Sequence, residues 1–270
     1  MMSFSLQFVL VLIGTFMIAL VLTPLVRLFS FKIDAVDYPN ARRINTKPMP
    51  SAGGLSIVIA FSIATLVFIP MLTSTTAPIK SYLSYTLPVV GAGWIIALTG
   101  LIDDVKELSA KKKMIGILLA ASLVWFLTDF RLNDFKIPFG GPLLHFEPWL
   151  SYLLTVIWIV AITNAVNLID GLDGLVSGVS IISLVTMGIV SYFFLPVPNL
   201  FLTMTIFVLV ASIAGFFPFN YHPAILYLGD TGALFIGFMI SVLSLQGLKN
   251  ATAVAVVTPM IILGVPITDT

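Results

Sequence analysis

The feature that most restricts this chain is a succession of long apolar runs separated by short polar or proline-containing breaks. A helix needs roughly 20 mostly apolar residues to cross the hydrocarbon of a bilayer. Runs of that order occur at about 4–28, 53–70, 83–102, 114–128, 149–168, 175–194, 200–217, 231–247 and 251–268. No Lys, Arg, Asp or Glu falls within 174–229, and "LPVPNL" divides that stretch in two, because closely spaced prolines stop a helix. The composition agrees: 9% of residues are charged, against about 25% in soluble domains. The expected fold is all-α, a polytopic membrane helix bundle of about nine spans. A net charge of +1 provides no field for nucleic acid, so no nucleic-acid partner is expected. The absence of cysteine removes disulfides, thiolate catalysis and Cys-based metal sites.

Nine spans force an alternation of loops that the charges can test. With the N-terminus outside, the loops 29–52, 103–113, 169–174 and 218–230 face the cytoplasm. Nine of the thirteen Lys and Arg then lie inside: Arg27, Lys32, Arg42, Arg43, Lys47, Lys106, Lys111, Lys112 and Lys113. This is the positive-inside bias, and it sets the orientation. The acids at span ends follow the same side: Asp103 and Asp104 end span three, Asp170 and Asp173 follow span five, and Asp230 opens span eight. The outer loop "DFRLNDFKIPFGGPLLHFE" alternates around Gly140 and Gly141 and is expected to form a small β-hairpin.

Ionisable groups at membrane depth are expensive and mark functional sites. In "NAVNLIDGLDGL", Asn164, Asn167 and Asp170 recur every three residues, which on a helix makes a polar stripe leading to its cytoplasmic tip. Asp173 follows one turn later. In "GLIDDVKELSAKKK", Asp103 and Asp104 point about 100° apart on a helix, so both can face one ligand only where the helix ends. The Lys111–Lys113 run fits phosphate binding and membrane topology equally well. Asp230 with Thr231 is placed to cap span eight or to share a site with a metal or phosphate. His222, alone before Pro223, reads as a local hydrogen-bonding residue. "KPMPSAGG" offers Lys47 and the backbone amides of Gly53 and Gly54 either to an anion or to a rigid helix entry. Oxygen and amide ligands without Cys or clustered His suit Mg²⁺, with Mn²⁺ as a substitute. Mg²⁺ beside lysines at a membrane face implies a phosphorylated substrate.

The motifs "KPMPSAGG", "GLIDD", "NAVNLIDGLDGL" and "NYHPAILYLGDTGALFIG", in this order, resemble the polyprenyl-phosphate N-acetylhexosamine-1-phosphate transferases of glycosyltransferase family 4. Among them the chain is most similar to bacterial enzymes that transfer GlcNAc-1-phosphate from UDP-GlcNAc to undecaprenyl phosphate, releasing UMP, to start teichoic acid or O-antigen type glycans. The phospho-MurNAc-pentapeptide transferase is the near alternative. A cation-coupled transporter is the alternative of another class, although its acids would lie near the midplane. The resemblance implies one integral-membrane transferase domain over 1–270, in the bacterial cell membrane, with a cytoplasmic active site. Its partners would be a UDP-N-acetylhexosamine and a polyprenyl phosphate lipid, with homodimerisation left open. It assigns catalysis to Asp103, Asp104 and Asp230. Substrate binding falls to Lys47, Lys111, Lys113, Asn164, Asn167, Asp170, Asp173 and Asn220, and metal binding to Asn167, Asp170 and Asp230. It also implies a His-rich loop and at least one further span after "GVPITDT", so the chain is expected to be truncated there.

Overall fold

The structure, a computed structural model, describes residues 4–39, 47–73, 79–136, 142–194 and 200–248. It is a bundle of helices with two small antiparallel strand pairs. The helices are α1 (Phe4–Lys32), α2 (Gly54–Ile63), α3 (Ile69–Thr73), α4 (Ile79–Lys106), α5 (Ala110–Leu127), α6 (Pro148–Leu168), α7 (Leu175–Phe193), α8 (Leu200–Asn220) and α9 (Gly229–Leu248). Among the described residues, six helical segments are long and apolar enough to cross a membrane, and α9 adds a shorter apolar helix. The protein is therefore a polytopic membrane helix bundle. The ninth expected span, 251–268, lies outside the described residues, as do Gly140 and Gly141.

The expected outer hairpin forms: β3 (Asp134–Lys136) pairs with β4 (Leu143–His145), with Asp134 opposite His145. That pair is joined by Nδ1 of His145 and the Asp134 carboxylate at 2.5 Å. A second pair was not expected. β1 (Val36–Asp37) and β2 (Met49–Pro50) pair between α1 and α2, with Asp37 opposite Met49.

The core of the bundle is α9. Every residue from 231 to 245 is buried. A helix that is apolar all round belongs inside, and this one packs along α4 and α6, with α2 and α7 at its flanks. Small residues permit the close approach. A Cβ on Gly237 would lie 2.9 Å from the Thr163 Cα of α6. The Trp158 indole of α6 donates to Ser244 Oγ at 3.1 Å, fastening the same two helices. By contrast α1 exposes a stripe that includes Leu6, Leu10, Ile13, Met17 and Val21, the surface a lipid-facing helix requires.

The second span is interrupted by a π-helical turn, Ala64–Phe68, between α2 and α3. Its cause is Pro70, which has no N–H to donate. The Ile69 N–H reaches back to the Ala64 carbonyl, five residues earlier. In that register the next donor would be Pro70, so the Thr65 carbonyl needs another partner, and the Tyr82 hydroxyl of α4 supplies it at 3.0 Å. Tyr82 is itself fully buried. Tyr82→Phe removes this donor, and the unpaired carbonyl should cost about 1–3 kcal/mol. Thermal unfolding in detergent should show a lowered midpoint for Tyr82→Phe and none of comparable size for an exposed lipid-facing change such as Leu10→Ala.

Candidate active site

The site lies where the C-termini of α4 and α6 meet the N-termini of α2, α5 and α9. Backbone packing sets this junction. Residues 50–54 lie against residues 227–232: Gly53 N–H donates to the Tyr227 carbonyl at 3.0 Å, Gly54 N–H to the Leu228 carbonyl at 2.9 Å, and Tyr227 N–H to the Pro50 carbonyl at 2.9 Å. The two glycine amides, one option for anion binding in the sequence, are thus spent on the fold, and the rigid-entry reading holds. Gly54 is required because its Cβ would fall 2.1 Å from the Gly232 Cα, and Gly100 because its Cβ would fall 2.4 Å from the Asp230 carbonyl oxygen. Helices α2, α4 and α9 therefore meet backbone to backbone.

Four side chains from four helices converge there. Lys113, in the first turn of α5, places Nζ 2.6 Å from Asp103 Oδ2 and 2.9 Å from Asp230 Oδ2. Asn167, at the end of α6, donates through Nδ2 to the other oxygen of Asp230. Asp103 also ends its own helix, since its Oδ1 accepts the Leu108 N–H at 2.5 Å and its carbonyl accepts the Glu107 N–H at 2.9 Å. Glu107 takes a left-handed conformation, φ +47°, which turns the chain into α5.

The adjacent Asp104 points elsewhere, as neighbours on a helix do. It accepts from Asp230 N–H at 2.8 Å, from Thr231 N–H at 3.0 Å and from Thr231 Oγ1 at 2.5 Å. Capping of α9, one role foreseen for Asp230 itself, therefore belongs to Asp104.

Asp170, in the turn after α6, has its carboxyl pushed up to about 7 by burial, with the negative charges of Asp230 and Asp37 adding to the effect. A region short of positive charge is one that a cation would relieve. Among the described residues no three acidic or histidine side chains make a full ligand shell. Mg²⁺ does not require one, because it usually keeps several waters and binds through one or two carboxylates plus substrate phosphates. The all-oxygen set of Asp170, Asp230 and the Asn167 amide fits that habit.

Other expected residues take different positions. Asp173 accepts from His222 Nδ1 and from Ala224 N–H, both at 3.0 Å, and so ties the α6–α7 turn to the α8–α9 loop. His222 is a local hydrogen-bonding residue, as expected. Asn220 is buried; its oxygen accepts from Ser177 Oγ at 2.8 Å and its nitrogen donates to the Leu226 carbonyl at 3.3 Å. Asn164 donates to the Val160 carbonyl of its own helix at 2.8 Å. Lys47 and Lys111 are exposed at the same end of the bundle. Asp37, whose charge reaches Asp170, was missed, although it stands between α1 and α2 as Lys47 does.

Comparison with known proteins decides the family. The profile of Glycosyl transferase family 4 matches residues 86–248. The chain belongs to glycosyl transferase family 4. Across 266 residues it is 41% identical to a Bacillus subtilis (strain 168) protein named "probable undecaprenyl-phosphate N-acetylglucosaminyl 1-phosphate transferase", covering 98% of this chain and 70% of that protein. It is 33% identical over 251 residues to a phospho-N-acetylmuramoyl-pentapeptide-transferase of Staphylococcus saprophyticus subsp. saprophyticus, covering 88% and 74%. It is 32% identical over 227 residues to a decaprenyl-phosphate N-acetylglucosaminephosphotransferase of Mycolicibacterium smegmatis, covering 81% of this chain and 55% of that protein. The chain thus spans from about half to three quarters of the length of these relatives. As a member of glycosyl transferase family 4 it is a membrane enzyme of the transferase class, and Asp103, Lys113, Asn167 and Asp230 all lie inside the matched region.

The ion-pair arrangement has a pH signature. In Lys113→Met, Asp103 and Asp230 face each other without a cation, and the loss should be about 1–3 kcal/mol, between the values for exposed and fully buried pairs. Protonating one carboxyl relieves that repulsion, so the deficit relative to wild type should be largest near pH 8 and shrink toward pH 5. Unfolding midpoints at the two pH values measure it; a pH-independent difference would contradict the arrangement.

Proposed function

We propose that this enzyme transfers GlcNAc-1-phosphate from UDP-GlcNAc to undecaprenyl phosphate at the cytoplasmic face of the cell membrane, releasing UMP and starting a cell-wall glycan. The observation that carries the reading is the convergence of Asp103, Lys113, Asn167 and Asp230 at one end of a membrane bundle, in a chain similar over nearly its whole length to a protein of that name. Exposed Arg27, Lys32, Lys106, Lys111 and Lys112 cluster at the same end, which supports a cytoplasmic position. A lipid acceptor accounts for a site built at one end of apolar helices long enough to cross a membrane.

In the proposed reaction an oxygen of the lipid phosphate attacks the sugar-bearing phosphorus of UDP-GlcNAc, the bond to the UMP oxygen breaks, and a lipid-linked sugar diphosphate and UMP result. A phosphate monoester is largely dianionic near neutral pH, because its second pKa is about 6, so the acceptor needs orientation and charge shielding more than deprotonation. Lys113 is the cation placed for that shielding, and Asp103 and Asp230 hold its ammonium in position. Asp170, Asp230 and Asn167 would hold Mg²⁺, which when bound offsets charge on the diphosphate. The lysines Lys47 and Lys111 add positive charge on the water side, where a nucleotide sugar arrives.

The test supplies the purified full chain with undecaprenyl phosphate, Mg²⁺ and UDP-GlcNAc, and measures UMP. Release should require all three and stop with a chelator, and Asp230→Asn should lower it by about 10²–10³. Release with UDP-MurNAc-pentapeptide alone would shift the assignment to the peptidoglycan enzyme, and cation uptake without UMP release would move the protein to a transporter.

A further inference from the structure

The carboxylate pair at the end of α4 divides its labour. Helix α9 begins at Gly229, which takes φ +70° and has no side chain with which to cap. A helix start leaves N–H groups unpaired, and here the start is packed among other helices. The acceptor comes from 126 residues earlier in the chain: the Asp104 carboxylate takes the N–H groups of Asp230 and Thr231 together with the Thr231 hydroxyl. Thr231 is fully buried. The fit is tight on both sides, since a Cβ on Gly229 would come within 2.8 Å of Asp104 Oδ2.

This cap has a consequence for Asp230. An Asp that caps its own helix spends an oxygen on the N–H two or three residues ahead. With Asp104 as the cap, both Asp230 oxygens are directed away from the helix, one to Asn167 and one to Lys113. Asp103 meanwhile faces the same lysine. Building on the transferase reading above, we propose that Asp104 is a positioning residue: it touches neither substrate, and it acts by fixing the α9 N-terminus so that Asp230 stands opposite Asp103 across Lys113.

A five-protein comparison tests this: wild type, Asp104→Asn, the near-isosteric Thr231→Val, the double variant of these two, and Thr231→Ser, each assayed for kcat, for KM toward both substrates, and for melting midpoint. Asp104→Asn should lower kcat by about 100-fold, as expected for a displaced reacting group, with both KM values within about threefold. Because both changes break one contact, the double variant should fall no more than about twofold below Asp104→Asn, and the midpoint shifts should likewise be less than additive. Thr231→Ser, which keeps the donor, should recover most of the activity lost in Thr231→Val. A KM for the lipid phosphate raised about tenfold or more by Asp104→Asn, or a double variant that shows the product of the single effects, would overturn the proposal. If Asp104→Asn does not fold, the Val and Ser variants decide alone: wild-type kcat in Thr231→Val, or no recovery in Thr231→Ser, overturns it. Should wild type release no UMP, the transferase reading fails, and the additivity of the midpoint shifts still shows whether the cap exists.

Discussion

The structure depends on closing one buried helix end. Each buried backbone N–H that lacks a partner costs about 1–3 kcal/mol. Helix α9 begins within the bundle, and its first N–H groups are closed by a carboxylate from another helix. That closure requires α4 and α9 to approach at backbone distance, which Gly100 permits, and it requires the loop leading into α2 to lie against the same turn, which Gly54 permits. A side chain at Gly100 would separate the elements that carry Asp103 and Asp230, and one at Gly54 would push α2 away from the α9 turn that carries Asp230. The fold and the site are thus set by one set of contacts.

The electrostatics follow from this packing. Asp103 and Asp230 share the single charge of Lys113, while Asp170 and Asp37 add negative charge around it. Cation and carboxylates at close range resolve the cost of placing acids at the edge of hydrocarbon, which neither sign could bear alone. The remaining negative surplus is suited to a divalent ion. An anionic group would be repelled by these acids alone, and Lys113 is the cation at the junction that offsets the repulsion.

Much of this was legible in the chain. Apolar run length marked the six membrane-length segments and the shorter buried α9, and the one-sided distribution of acids and lysines marked the end where the site lies. Alternation about the glycines marked the outer hairpin. What periodicity could not show was pairing across distance. Nothing local to "LIDD" says that Asp103 meets Lys113 while Asp104 meets Thr231; a 100° turn per residue predicts divergence but not the partners. Gly53 and Gly54 read equally as an anion cradle or as packing, because their amides look the same until the carbonyls of Tyr227 and Leu228 are brought to them. Asp37 was hidden for a similar reason. The two-residue pairing of β1 with β2, too short to leave a pattern, helps to fix the segment from which its charge reaches Asp170.

The loops show the same economy of roles. Asp173 and Asn220 stand in motifs dense with polar residues, yet their recorded hydrogen bonds run to His222, Ala224, Ser177 and Leu226. These bonds join the turn that carries Asp170 to the loop that leads into Asp230. The two acids best suited to a cation are therefore held on segments fastened to each other as well as to the bundle. A divalent ion between phosphates tolerates little variation in distance, and loops alone do not supply such constancy. In this structure Asp173 and Asn220 use their hydrogen bonds to hold the Asp170 turn and the loop into Asp230 in register, which is one physical reason for a motif so rich in acids and amides.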